Sequence, residues 1–453
     1  MTLDTHVLDG KLTSVTAVAS PTPPTARRGL LRHRDFLKLW SGETISVFGS
    51  QITLLALPWI AATILHVSPF EFGLLGTIEF LPFIMLSLPA GVWVDRLRRR
   101  PILIAGDVGR AVSLASIPIA FYFDGLTIWQ LYVVGFINGC LTVFFDVSYQ
   151  SYLPSIVDRD QLVEGNSKLE ITRSASQILG PGMAGPLIDL VKAPFAILLD
   201  ALSFLVSAVM VLWIRRPEPP PEVHDATTGP RPSMRQEIGA GLRYVTGHRW
   251  LRSIAATTGT SNLFSNVSGA ILLLWLVNDH DFSASQLGFA FSLGSFGVLG
   301  AALTASRISR WLGVGRTLVV SSIGFGIAGL PLILAPADLL FPAVAGSVFL
   351  GGYFGVVWNI NQISLRQAIT PTRMQGKMNA TMRFIVWGTI PLGMIAGGFL
   401  GGVIGLFPTV AVGAIGSLFA FLPVALSPVR QLRDMPEPLA DEAEASATAA
   451  AGA

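Results

Sequence analysis

Apolar segments of about twenty residues recur along the whole chain, and this recurrence limits the possible folds more than any single motif. A helix needs about 20 mainly apolar residues to cross the hydrocarbon core of a bilayer. Windows of that kind fall at 38–62, 70–93, 101–123, 128–152, 168–190 and 194–214. After a polar interval they resume at 253–277, 285–306, 316–335, 340–365, 381–403 and 407–428. Charged residues make up only 13% of the chain, about half the share in a soluble globular protein. The expected fold is an all-α membrane protein with twelve transmembrane helices in two pseudo-symmetric six-helix bundles, 36–214 and 251–428. Residues 1–35 and 429–453 read as disordered tails, Pro-rich or acidic and poor in core-forming side chains.

The basic residues fix a direction. With both termini in the cytoplasm, 29 of the 31 Lys and Arg fall in cytoplasmic segments, Lys192 in an external loop and Arg110 within span 3. That is the asymmetry of the positive-inside rule, and one span too many or too few would destroy it. Arg outnumbers Lys 26 to 5, which suits a GC-rich bacterial genome and hence a bacterial cytoplasmic membrane. The pI near 9.2 reflects a net charge of only +3, placed as topology requires, so no nucleic-acid partner is expected. The interval 215–250 opens "RRPEPPPEVHD", a Pro-rich linker that does not pack a core. It continues with Ile238, Leu242 and Val245 at helical spacing among Arg235, Arg243 and Arg249. That pattern suits either an interfacial helix on anionic membrane lipids or a solvated linker helix.

Several chemistries are disfavoured. The single Cys140 allows no disulfide or thiol pair, and the six His sit in tails, loops or span ends without ligand spacing. No metal or cofactor is expected. An ATP-driven pump needs a Gly-x-x-x-x-Gly-Lys-Ser/Thr phosphate loop, and "GVGRTLV" (313–319) has neither the lysine nor the spacing.

A displacement of 211 residues lays "AGVWVDR" (90–96) over "AALTASR" (301–307), each after the second span of its half. Ser306 stands in the second copy where Asp95 stands in the first. Parallel repeats of this kind suit a transporter whose two halves rock about a central site. With its basic run, the first copy reads Gly91, Asp95, Arg96, Arg98, Arg99 and Arg100. It resembles the signature of the major facilitator superfamily between spans 2 and 3, with Arg98 in place of a glycine. Span 5 holds Ser176, Gly180, Pro181, Ala184 and Gly185 in "SQILGPGMAGP", similar to the antiporter signature of that family. "FFDVSYQSYLP" and "LLDALSFLVSA" are similar to the branch holding macrolide-efflux proteins and enterobactin-type siderophore exporters. The resemblance covers 36–428 and implies export by alternating access. It implies that Asp95 and Arg96 form a cytoplasmic charge latch, made in one state and broken in the other. One element departs from the family: Gly135 stands where drug–proton antiporters carry an arginine in span 4.

Charges inside spans cost about 2.5–3.5 kcal/mol each on insertion scales and are functional by default. Glu79, nine residues into span 2, is the first candidate to carry a coupling proton, with Glu43 and Asp146 behind it. A structural role competes in each case: Glu43 could pair with Lys38 or Arg110, and Asp146 could join a gate network. Asp107 and Arg110 share a helix face and read as a packing pair; Asp200 has no partner evident in sequence. Asn138, Asn262, Asn266, Trp358, Asn361 and Gln362, with Asn359, suit a polar-lined cavity for an amphipathic substrate. For any one of them, interhelical hydrogen bonding is the competing role. The Gly-rich run 393–405 reads as close helix packing. No Lys or Arg is expected at mid-depth, which favours neutral or cationic compounds. A small-molecule substrate, protons and lipids are the expected partners, and the fold requires no second subunit. An uptake transporter or a non-transporting structural membrane protein are the alternatives; the latter gives no reason to bury Glu79.

Overall fold

The computed structural model describes residues 30–218 and 234–436, and these are helical with no strand. Most of the expected tails (1–29 and 437–453) and of the Pro-rich linker lie outside the described residues, as do the side chains of Asp95, Arg235 and Ile238. The tail boundaries need correction: Leu30 and Val429 are buried in the packed structure, and helix α1 already begins at Arg34. The first group of helices is α1 (Arg34–Thr63), α2 (Pro69–Arg96), α3 (Arg99–Tyr122), α4 (Ile128–Ile156), α5 (Leu162–Val191) and α6 (Ala193–Leu212). After α7 (Met234–Gly247) come α8 (Arg249–His280), α9 (Ala284–Leu312), α10 (Val314–Ile327) and α11 (Leu330–Leu334). The chain closes with α12 (Leu340–Ala368), α13 (Thr372–Ile404), α14 (Leu406–Leu418) and α15 (Leu422–Ala425). Two expected spans are thus broken helices, α10–α11 and α14–α15.

Among the described residues, eleven helical stretches are long and apolar enough to cross a membrane. The expected span 168–190 forms helix α5 but is not among them. Its sequence explains why: Glu164, Lys168, Glu170, Arg173 and Asp189 interrupt a helix otherwise built of small residues. It packs between α1 and α9, so its polar stretches meet protein and cavity.

Short turns make successive helices antiparallel. We call the end holding Arg96–Arg100, Arg215, Arg216, Arg430 and Arg433 the basic end, and the opposite one the far end. Helices α1–α6 pack among themselves, chiefly α1 on α6 and α5, α3 on α6, and α4 on α2 and α3. The second group is built on α8 with α13 and α14, and on α12 with α9 and α10. Only two broad contacts join the groups, α2 on α13 and α5 on α9.

The linker departs from expectation at both its ends. Arg215–Glu218 are knitted into the first group: Glu218 accepts from the backbone N–H of Arg99 at 2.6 Å and of Arg100 at 3.2 Å. Those N–H groups are the orphan donors at the start of α3, so Glu218 caps that helix. Asp35 likewise accepts from the N–H groups of Arg215 and Arg216, and the Arg216 side chain donates to the Ile156 carbonyl at 2.6 Å. Helix α7 is neither purely interfacial nor solvated. It docks on α13 and α8, burying Val245 and setting Gly241 against Thr381.

Candidate functional site

At the far end the two groups meet backbone to backbone. A Cβ on Gly73 of α2 would lie 2.5 Å from the Met394 carbonyl oxygen of α13. A Cβ on Gly398 would lie 2.8 Å from the Pro69 carbonyl oxygen, Gly185 meets Ala284, and Gly288 meets the Pro181 carbonyl. Only residues without a side chain allow such approach. Hydrogen bonds reinforce the seam: the Gly182 N–H donates to Ser292 Oγ at 2.7 Å. Asp189 accepts from the N–H groups of Ala284 and Ser285, at 3.2 and 2.9 Å. Among the described residues, every hydrogen bond between α1–α6 and α8–α15 lies in this far half.

The span-5 motif thus divides in two. Ser176 is buried and donates to its own helix, and Gly180 gives room to Gln51 of α1, so this part binds α5 to its own group. Pro181, buried Ala184 and Gly185 belong to the stretch that faces α9 and forms the seal.

Toward the basic end, each group encloses a cavity. The first, of about 540 Å³, lies among α1, α4 and α5 and is lined by Glu43, Tyr149 and Arg173. It reaches the basic end past exposed Gln150, Asn166 and Glu170. Glu43 is buried, with Oε2 unpartnered, and the Tyr149 hydroxyl is unpartnered as well. The Lys38 pairing expected for Glu43 does not form: Lys38 Nζ holds Asp35 at 2.7 Å. Nor does Arg110 pair with it directly. Arg110 donates to Asp107 at 2.6 Å, its guanidinium between the rings of Phe145 and Phe204 at 4.2 and 4.1 Å. Glu43 and Asp146 lie within electrostatic reach of Arg110 and Arg173.

Asp200 does have partners. Thr53 of α1 donates to one carboxylate oxygen and Ser203 to the other, beside Gly49, where any side chain would collide. Ser203, three residues on, was a visible signal; Thr53, 147 positions away, was not. Glu79 lies against α4, its Cγ 2.9 Å from where a Cβ on Gly135 would stand. It makes no hydrogen bond or ion pair among the described residues. The place of the missing span-4 arginine is therefore where Glu79 packs.

The second cavity, of about 680 Å³, lies among α8, α10, α12 and α13. Asn262, Trp358, Asn359 and Gln362 line it, whereas Asn138, Asn266 and Asn361 do not. Asn361 is buried and donates to the Val357 carbonyl, and Asn266 donates to the Asn262 carbonyl. Asn138 keeps an unpartnered buried oxygen on α4. Arg366 and Arg383, toward the basic end, also line this cavity. A crevice of about 230 Å³ between α2 and α13 shares Arg383 and Trp387 with it and adds Phe83.

In the signature loop, Gly91 faces open space and Arg96 is exposed. The ion pair seen there is between Arg99 and Glu218, at 3.8 Å, with the Arg100 guanidinium on the Leu212 carbonyl.

A family model described as Major Facilitator Superfamily matches residues 39–388. The chain belongs to that superfamily. It is similar to the multidrug efflux pump Tap of Mycolicibacterium fortuitum, 24% identical over 80% of this chain and 88% of Tap. The enterobactin exporter EntS of Escherichia coli is 21% identical over 77% of this chain and 81% of EntS. Macrolide efflux protein A of Streptococcus pyogenes is 24% identical over 51% of this chain and 55% of that protein. A local match to the MFS-type transporter YfiS of Bacillus subtilis, 29% identical, spans 40% of this chain and 43% of YfiS. In fold the chain resembles a bacterial homologue of the iron transporter ferroportin in its inward-facing state. That match has a TM-score of 0.69 and 17% identity, covering 88% of this chain and 99% of the homologue. The outward-facing state of such a homologue scores 0.52 at 17% identity, covering 86% of this chain and 98% of that structure. The protein is thus a multi-pass membrane protein of a transporter superfamily, similar to members of the branch that its sequence resembles.

Proposed function

We propose that this transporter is a proton-driven exporter of a small amphipathic molecule. It works by alternating access across a bacterial cytoplasmic membrane, with its basic end and both termini in the cytoplasm. One observation carries the reading: a far end sealed by glycine contacts stands over cavities in both halves that reach the basic end. Rocking the halves about the middle would open the seal and close the cavities. The partition of basic residues supports the orientation, and the relatives named as efflux proteins or exporters support the direction.

Glu79 carries the coupling proton, with Glu43 and Asp146 exchanging it with the cytoplasm. Support for Glu79 comes from its isolation: a carboxyl without a partner inside a span is costly when charged. The charge latch that Asp95 and Arg96 form belongs to the opposite state, which agrees with an exposed Arg96 here. A single chain suffices. The test uses everted vesicles loaded with this protein and a panel of fluorescent amphiphiles. A proton gradient, acid inside, should drive accumulation in the lumen. Glu79→Gln should abolish uphill accumulation while leaving downhill exchange; a Glu79→Gln variant that still pumps uphill overturns the assignment. Accumulation under the opposite gradient alone would mean uptake.

A further inference from the structure

The C-terminal half is almost empty of negative charge. Between Arg249 and Pro436 the only acids are Asp279, Asp281, Asp338 and Asp434, all at helix ends or in connections. No Asp or Glu lines the 680 Å³ cavity, although two arginines do. Arg366 donates to Asn379 Oδ1 across the α12–α13 groove at 3.0 Å, and its Nε is buried without a partner. Arg383 makes no ion pair among the described residues.

Arginines near the basic end are also what topology demands, so what surrounds these two matters. Arg383 is exposed on the cavity wall, its Cα about 16 Å along α13, eleven residues at 1.5 Å each. Its guanidinium sits over the ring of Trp387, its i,i+4 neighbour, 4.8 Å from the centroid. Trp358, Phe325 and Trp387 give the same cavity aromatic surface.

We infer that the transported molecule carries an oxyanion, a carboxylate, sulfonate or phosphate group, that binds between Arg366 and Arg383 while its flat apolar body lies against Trp358 and Trp387. This rests on the transporter reading above and narrows its substrate class. Guanidinium forks match planar oxyanions and form their strongest hydrogen bonds with them. Proton-responsive acids are confined to the N-terminal half, so cargo and coupling ion occupy different halves.

The test reads binding, not transport. The purified full chain in nanodiscs is titrated against fluorescein, an anion, and rhodamine 110, a cation on the same xanthene skeleton, by fluorescence polarisation. Fluorescein should bind at least about tenfold more tightly. Arg383→Gln and Arg366→Gln should each weaken it about tenfold, and Arg383→Lys should retain part of the affinity. Gel filtration and thermal unfolding establish that each variant is folded. Absent fluorescein binding, equal or tighter rhodamine binding, or unchanged fluorescein affinity in both Gln variants overturns the oxyanion assignment. Because no gradient enters this assay, such a failure leaves vesicle export standing. A failure of export would equally leave the anion site standing.

Discussion

The Asp189 carboxylate at the end of α5 caps the first turn of α9, accepting from the Ser285 N–H at 2.9 Å across the boundary between the halves. A negative charge at a helix N-terminus contributes about 0.3–1 kcal/mol, and its hydrogen bonds to backbone N–H raise this to roughly 2 kcal/mol. Asp189→Asn should therefore shift the equilibrium between far-end-closed and far-end-open states about tenfold toward open. Distances between spin labels on the α1–α2 and α13–α14 connections would report it; an unchanged distance distribution would mean the cap does not bias the gate.

The glycine seam makes a sharper prediction. Gly288→Val places a branched side chain against the Pro181 carbonyl, where no rotamer relieves the overlap. The far end should then fail to close, and transport should fall by well over tenfold while the protein still inserts. Labelling of a cysteine placed in the far-end cleft should rise; Gly346→Val, where a Cβ meets nothing, serves as the comparison.

The Asp107–Arg110 pair should behave as structure. Both side chains are almost fully buried, and removing one member of such a pair costs about 3–5 kcal/mol. Asp107→Asn should markedly lower the thermal unfolding temperature. The double variant Asp107→Leu/Arg110→Met should recover most of the loss, since well-packed apolar replacements are often neutral. A double variant as unstable as the single one would point to a role beyond packing.

His248, between α7 and α8, accepts the Leu251 N–H at Nδ1, and burial holds its imidazole below the usual histidine range. Above about pH 6.5 the ring is neutral in both folded and unfolded states. As the pH falls through that value, the unfolded state takes up its proton first, so the junction loses stability until the folded ring also protonates. After correction for the intrinsic pH dependence of amide exchange, protection across 244–252 should be lower at pH 5.5 than at 7.5, and in His248→Asn that difference should shrink.

Where sequence and structure diverge, the reasons are physical. Hydropathy windows located the helices because lipid and protein interior both demand apolar side chains. The α5 helix was legible from repeat logic and loop charges, although its own hydropathy is too low. Glu218 and Thr53 were not legible, because their partners lie 119 and 147 positions away. Glu79 and Gly135 were each noticed alone, and only the α2–α4 packing brings them together.

The far-end seam has a thermal consequence. Ordering a long side chain at a contact costs up to about 2 kcal/mol of conformational entropy, whereas glycine and alanine lose none. A gate that closes carbonyl against α-carbon therefore freezes few rotamers on each stroke. Its open–closed balance should change little with temperature, so cooling should slow this transporter chiefly through its barrier and the stiffness of the lipid around it.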